Sequence, residues 1–382
     1  MRRTTITRTG VGMTLGTVGL YATGVLLGYP VLVALAVGAL VMLVGAALAV
    51  AVRPRVTLTR QVSPDRVTVG EPALGRIDVH NASRWPAPPF TAVDRVGEAS
   101  VELPVGVLAG GGRRAVHYPV PTPRRGRIRL GPLTVERRDP FGLIRRAQRQ
   151  TGDEVLWVHP RVHPMRTLPV GLVLDYEGRT TENARLGTVT FSSLREYVPG
   201  DDPRQIHWRS TARTGTLIVR EHVDTTEPTT TVVLDTRAEA LDPDAFEHAV
   251  EVAASVGYAV EGSGRPVALH ILGEPADTGA YGLLDRLAAA EQGRDGDLLR
   301  LLDLVERIEA GGTLVVVTGA KEPGLLARLA EQRRRFNPVV VVTVDAAAVA
   351  GTRRRPGMAV LAVRSGIEAA AAWNRMIGGD AG

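Results

Sequence analysis

The chain has 382 residues, 44% hydrophobic but only 4% aromatic, so any core must be built from Val, Leu and Ala. There is no cysteine, which excludes a disulfide framework, thiolate metal sites and cysteine nucleophiles. The formal charge is +6, and Lys321 is the only lysine, so the basic residues are an arginine population that does not by itself mark a nucleic-acid surface.

Between Arg8 and Arg53 nothing is charged, a run of 44 residues from Thr9 to Val52. One membrane-crossing helix takes about 20 apolar residues, so the run suits two. Gly28-Tyr29-Pro30 interrupts it near the middle. The expected hairpin has helices at about 11–28 and 31–52, inside a first segment 1–54. Gly12-x-x-x-Gly16 and Gly24-x-x-x-Gly28 would let two helix backbones approach. The competing reading is a cleaved signal peptide with Ala47-Leu48-Ala49 at the cleavage site, but an apolar signal core is only about 7–15 residues long. Arg2, Arg3 and Arg8 flank one end of the run and Arg53, Arg55 and Arg60 the other. The positive-inside rule places both flanks and the bulk of the chain in the cytoplasm, as a two-helix protein of the cell membrane.

From residue 55 to about 165 the pattern becomes short alternating runs: Val56, Leu58, Val62; Gly75, Ile77, Val79; Ile128, Leu130; then Val155–Val158. Turn residues at Gly70, Asn81, Pro86, Gly110–Gly112 and Pro121 separate them, which predicts an all-β sandwich. Residues 166–382 change again. Strand Thr231–Leu234 ends at Asp235, and a helix follows with Asp242 as its cap and Pro243 at its first position. Apolar strands at 267–272, 313–318, 338–344 and 358–363 alternate with helical segments at 281–291, 297–310, 323–336 and 367–377. That alternation predicts a doubly wound α/β domain with a mainly parallel sheet.

The densest motif runs from Leu194 to Arg213. Pro199-Gly200 makes a turn, Asp202 is a good N-cap, Pro203 suits the first helical position, Gln205 completes a capping box and Gly215 is a stop, predicting a helix over about 203–213. Arg209 and Arg213 share a face with Ile206, while Arg204 and Trp208 stack on another. Such a face could grip another polypeptide. The preferred reading is an internal clamp, with the arginines on the domain's own carboxylates and Trp208 in the core, and the partner surface at the carboxyl edge of the sheet around Asp235. Asp201 and Asp202 are accounted for by turn and cap chemistry rather than catalysis. His207 reads as a packed or solvated histidine inside the helix. His159-Pro160-Arg161-Val162-His163 has metal-like spacing but no third ligand type nearby. Gly110–Gly112 lacks the Gly-Lys-Ser/Thr of a phosphate loop. Arg333–Arg335 and Arg353–Arg355 read as solvated basic runs. No catalytic set emerges.

Leu194–Arg213, continued by Leu217-Ile218-Val219-Arg220-Glu221, resembles a bacterial family, domain of unknown function family 58. Arg124-Arg125-Gly126, Asp139-Pro140-Phe141-Gly142-Leu143 and Val158-His159-Pro160 add to the resemblance. It implies a membrane hairpin, a β-domain and a C-terminal domain similar to von Willebrand factor type A. It also implies association with MoxR-type AAA+ ATPases and transglutaminase-like membrane proteins. The signature residues it carries include Arg195, Tyr197, Gly200, Asp201, Asp202, Arg204, His207, Trp208, Arg209, Arg213 and Asp235. Type A domains often hold a metal through Asp-x-Ser-x-Ser. Here Asp235 matches, but Arg237 and Glu239 replace both serines and Gly319 follows Thr318 where an acid should stand. A hard divalent ion needs several oxygen ligands, so no metal and no cofactor are expected.

The expected protein is therefore a membrane-anchored, cytoplasm-facing scaffold or adaptor for a MoxR-type ATPase acting on envelope or membrane complexes. The lipid bilayer is its other partner and nucleic acid is not one. The alternatives are a hydrolase using acids near Asp201 and Asp235, and a metal-dependent adhesion module outside the cell.

Overall fold

The computed structural model describes residues 2–51, 55–150, 152–168, 191–198, 206–222, 228–274, 281–293, 297–319 and 324–378. The chain divides into two compact units, one ending at His159 and the other starting at Pro160. That boundary lies earlier than the expected end of the β-domain near 165, for a local reason. The segment after Pro160 is tied to the second unit: the His163 amide donates to Ser255 Oγ at 2.9 Å, and Trp373 Nε1 donates to the Arg166 carbonyl at 2.8 Å.

The first unit opens with a strand that periodicity did not reveal, β1 (Arg2–Ile6). Helices α1 (Arg8–Leu26) and α2 (Pro30–Ala51) follow as an antiparallel pair. Thr7 caps α1, its hydroxyl accepting from the Gly10 amide at 3.0 Å. Gly28 makes the turn at φ +71°, a left-handed conformation that a β-carbon would strain. Of the glycine spacings, only Gly24 is used for close approach, lying against the Val33 backbone, whereas Gly12 and Gly16 face open space. Both helices are long and apolar enough to cross a membrane, and only 11% of either span is buried. Such exposure of Val and Leu is unlike a helix in a soluble core.

The strands that follow are β2 (Val56–Ser63), β3 (Arg66–Thr68), β4 (Ala73–Asn81), β5 (Phe90–Val96), β6 (Ala99–Val105), β7 (Arg113–Val120), β8 (Gly126–Leu130), β9 (Thr134–Arg138), β10 (Ile144–Arg149) and β11 (Glu154–His159). One sheet has the order β2-β4-β7. The other runs β1-β10-β9-β5-β8-β11-β3, with β6 paired to β5. The alternation read from sequence becomes burial directly: along β2, Val56, Leu58 and Arg60 point inward while Thr57, Thr59 and Gln61 point out. One apolar cluster joins Leu58, Ile77 and Val79 of the first sheet to Phe90, Ala92, Leu130 and Leu156 of the second.

Arg60 corrects the sequence reading. It is not a surface flank of the hairpin but a buried ion, donating to Asp94 Oδ1 at 2.7 Å and to the carbonyls of Leu130 and Gly152 at 2.8 and 2.7 Å. Tyr118 donates its hydroxyl to the other Asp94 oxygen. Burial, then the Asp94 hydrogen bond, pushes the Tyr118 phenol far above its ordinary range.

The second unit contains a β-hairpin, β12 (Phe191–Glu196) and β13 (Ile218–His222), with the short helix α3 (Trp208–Thr214) between its strands. The rest is α/β: β14 (Thr230–Leu234), α4 (Pro243–Gly262), β15 (Val267–Ile271), α5 (Leu283–Ala289), α6 (Leu298–Arg307), β16 (Thr313–Gly319), α7 (Leu325–Glu331), β17 (Val339–Val344), β18 (Gly351–Arg355), β19 (Met358–Val363) and α8 (Gly366–Gly378). Asp242 caps α4 as its sequence predicts, accepting from the Ala245 amide at 2.8 Å. The sheet order is β15-β14-β16-β17-β19-β18, parallel throughout except for β18. Strands β14, β16 and β17 are buried along their whole length, which is why they read as unbroken apolar runs. Arg353–Arg355, read from the sequence as a solvated basic run, lie in the edge strand β18, where charge discourages pairing with another chain.

Candidate functional site

In an open α/β sheet the natural ligand position is the carboxyl edge where successive crossovers diverge to either side. Here β14 has β15 on one side and β16 on the other, so that point lies at Asp235 and Thr318. The chain fills it with its own cation. Arg237 donates from Nε to Asp235 Oδ1 at 2.9 Å and from Nη2 to Oδ2 at 2.7 Å. The Arg237 amide adds a bond to Oδ1 at 3.1 Å, and Thr318 Oγ1 donates to Oδ2 at 2.6 Å. Asp235 and Thr318 are 0% exposed and Arg237 is 1% exposed. Four donors thus converge on the two oxygens of a carboxylate closed off from solvent.

The loop after β14 seals the position. Ala238 and Gly293 exchange a backbone bond at 3.1 Å, and the Gly293 amide donates to Thr236 at 2.8 Å. Gly319 must be glycine because a β-carbon there would run into the Ala240 carbonyl. Gly319 is thus the residue that lets the loop close. Among the described residues there is no cluster of three or more His, Asp or Glu able to hold a metal. An open depression of about 450 Å³ between β18 and α8, lined by Arg354, Glu368 and Arg375, does not include Asp235.

The signature motif builds a second feature. Gly200, Asp201, Asp202 and Arg204, with Pro203 and Gln205, lie outside the described residues, so the expected capping box does too. What is described differs from a helix over 203–213. Ile206 pairs with Val219 as a β-bridge, and the His207 amide donates to the Ile218 carbonyl at 2.7 Å. Ile206 is therefore bridged to the hairpin, and His207, at φ −86° and ψ 83°, is not helical. His207 is itself the N-cap, its Nδ1 accepting from the Ser210 amide at 3.2 Å. Helix α3 starts at Trp208 and stops at Gly215, whose φ of +75° needs glycine. Thr211 locks it to the hairpin by accepting the Ile218 amide at 3.0 Å. Arg195 lies in β12 opposite Val219, and the Tyr197 amide donates to Leu217 at 2.8 Å.

The outward parts of this element are the apolar and cationic ones. Trp208 is 68% exposed, and Val198, Leu217, Arg209 and Arg213 are exposed beside it. Trp208 is not a core residue, and neither Arg209 nor Arg213 pairs with a carboxylate among the described residues. The internal clamp therefore lacks its contacts there.

His159 and His163 do not converge on a site. His159 ends β11, whereas His163 Nε2 lies 3.2 Å from Glu251 Oε2 on α4. The turn Asp139–Leu143 proves to be a joint. Asp139 accepts the Phe141 and Ile144 amides at 2.8 and 2.6 Å, and the Leu143 carbonyl accepts the Thr7 amide at 2.9 Å. The pairing of β1 with β10 has no periodic signal because β1 is only five residues long, rich in arginine and threonine.

The α/β domain thus has a switch point occupied by a buried ion pair and carries an exposed helix–hairpin element. Residues 193–348 match the family described as Protein of unknown function DUF58. No curated protein matches the chain. Among solved structures, it is similar to the CARDB domain of a Pyrococcus furiosus protein, with 16% identity over 28% of this chain and 88% of that one at a TM-score of 0.22. The C-terminal domain of wzt gives 10% identity over 29% and 77% at 0.24. Red sea bream transglutaminase gives 20% over 28% and 15% at 0.21. Likenesses this partial carry no functional argument.

Proposed function

We propose that this is a membrane-anchored interaction protein, cytoplasm-facing, whose C-terminal domain is a metal-free relative of the von Willebrand factor type A module. In this reading it serves as an adaptor for a MoxR-type AAA+ ATPase working on envelope or membrane complexes. The carrying observation is the Asp235–Arg237–Thr318 knot. An acid at the carboxyl end of the first strand, met by a threonine from the neighbouring strand, supports descent from a metal-binding arrangement. The guanidinium occupying the cation position supports loss of the metal and of any chemistry there. A carboxylate closed off from solvent and tied by four donors cannot act as a general base, which weighs against the hydrolase alternative.

Binding then falls to an exposed surface, and the helix–hairpin element with Trp208, Arg209 and Arg213 fits that need. Aromatic and arginine side chains dominate interface hot spots. The anchor is supported by the two apolar helices and by β1, which brings the chain's start back to the sheet that follows the hairpin. The test is a pull-down of a purified MoxR-type ATPase by the full chain in lipid nanodiscs. Stoichiometric capture that Trp208→Ala abolishes, with an unchanged melt, is the expected result. Absence of capture in every nucleotide state would overturn the adaptor reading.

A further inference from the structure

The residues around the base of the helical hairpin have no part in the reading above, yet their placement is specific. β2 begins just after α2, and its first residue, Val56, pairs with Asn81 at the end of β4, where His80 pairs with Arg113 at the start of β7. The loops at this end are tied together: the Ala82 amide donates to Arg55 at 3.0 Å and the Gly111 amide to Ser83 at 3.0 Å. They present Arg55, Arg84 and Trp85 outward, Trp85 at 79% exposure. The other sheet reaches the same helices. The Asp139–Leu143 turn holds the start of α1 through Thr7, and Arg146 Nη1 lies 3.5 Å from the Val50 carbonyl at the end of α2. That turn exposes Phe141, while its carboxylate, Asp139, is directed inward onto backbone amides. Arg8 is exposed at the first residue of α1.

The hairpin therefore leaves the sandwich through a collar of Arg8, Arg55, Arg84 and Arg146, with two exposed aromatic rings. None of these four arginines pairs with a carboxylate among the described residues. We infer that this collar is a binding surface for the anionic headgroups of phospholipids, with the guanidiniums on lipid phosphates and Trp85 and Phe141 seated at the headgroup level. The inference rests on the hairpin's crossing the bilayer, which puts its base at that level. Three further observations agree. Arginine recognises phosphate bidentately, and amphipathic aromatic rings collect at membrane interfaces. The charge is divided: the chain up to His159 holds 21 arginines and 10 carboxylates, whereas the whole chain carries only +6. Arg137, opposite Arg146 in the β9–β10 register, has its guanidinium's hold on the proton weakened, first by burial and then by the Arg146 charge.

The experiment uses the full chain in nanodiscs whose lipids are brominated near the headgroup. Trp85 quenching is read as the difference between wild type and Trp85→Phe, in phosphatidylcholine alone and with phosphatidylglycerol added. Each arginine near an anionic surface contributes about fivefold to affinity. The collar should therefore quench Trp85 more strongly with phosphatidylglycerol, and added salt should remove the difference. A variant with Arg8, Arg55 and Arg84 all changed to Gln should lose on the order of a hundredfold in that docking equilibrium. If it does not fold, the salt titration of wild type still decides. Quenching that is absent, or indifferent to lipid charge and salt, overturns the inference. Extraction of the wild type from membranes by carbonate would instead overturn the spanning hairpin, a separate outcome.

Discussion

Replacing Asp235 with alanine tests whether the plugged switch point is a structural element. The side chain it removes is 0% exposed and holds Arg237, itself 1% exposed, by two charge-assisted bonds at 2.9 and 2.7 Å. The mutant strands a guanidinium in a position closed by the loop after β14, and breaking a buried pair from one side costs about 3–5 kcal/mol. In a domain of 150–250 residues each kcal/mol moves the melting temperature by about 2–4 °C, so a fall of roughly 6–20 °C is expected. Removing both partners with Asp235→Leu and Arg237→Met takes away the stranded charge, and the double variant should recover most of the loss. The assay is a thermal melt of the full chain in detergent, run for the single and double variants. An Asp235→Ala melt within about 1 °C of wild type would refute the argument, because a buried cation without its counter-ion cannot be that cheap. The same assay covers the metal question. Millimolar Mg²⁺ should leave the wild-type melt unmoved, and stabilisation that Asp235→Ala abolishes would show that Arg237 does not exclude the ion.

Three further outcomes are expected. Tyr118 keeps its proton in the folded chain while an unfolded tyrosine ionises near pH 10, so stability holds below about pH 10 and falls above it by about 1.4 kcal/mol per pH unit. Melts between pH 9 and 11 should show that loss in wild type and a smaller one in Tyr118→Phe, and equal losses would reject the assignment. Changing Arg209 and Arg213 together to Glu should leave the melt near wild type, since exposed substitutions shift stability within about 0.5 kcal/mol, but should weaken ATPase capture. Unfolding of that variant would restore the internal clamp. A cysteine introduced at the exposed Ser100 should resist an impermeant maleimide in intact cells and react after permeabilisation; labelling in intact cells would place the sandwich outside.

What the sequence discloses here follows from how local each signal is. β14, β16 and β17 are legible because both faces of a covered parallel sheet must be apolar, and α4 because its cap, its proline and its apolar face all fall within one stretch. The Asp235 surroundings are partly legible too, since Arg237, which ion-pairs with it, stands two residues along the chain. Arg60 is not: beside a membrane run it reads as a flank, and only its long-range partners Asp94, Leu130 and Gly152 make it a core residue. The signature helix fails at its start for a related reason. Pro203 and Gln205 are good opening residues locally, but Ile206 and His207 are claimed by β13, and a strand bond made across the hairpin outranks helix propensity.

The pairing of β1 with β10 constrains the proposed anchor. If the helices span a bilayer, a single span would leave the five residues before it on the far side, yet those residues carry the edge strand of the sandwich. Two spans joined at Gly28 would return the chain to the side it left, so that the strand before the helices and the domain after them can share a sheet. Thr7 serves both needs: its hydroxyl accepts the Gly10 amide to start α1 and donates to the Gly142 carbonyl at 2.7 Å to fasten that start to the sandwich. Losing the Thr7 hydroxyl would therefore loosen two joints with one atom. A Thr7→Val substitution, close in shape, should cost about 0.5–2 kcal/mol through the cap alone. It should also speed hydrogen exchange along β1 and at the Asp139–Leu143 turn while leaving β14–β17 unchanged. Exchange that rises only in α1, with β1 still protected, would mean that the strand holds without the cap and that the two joints are independent.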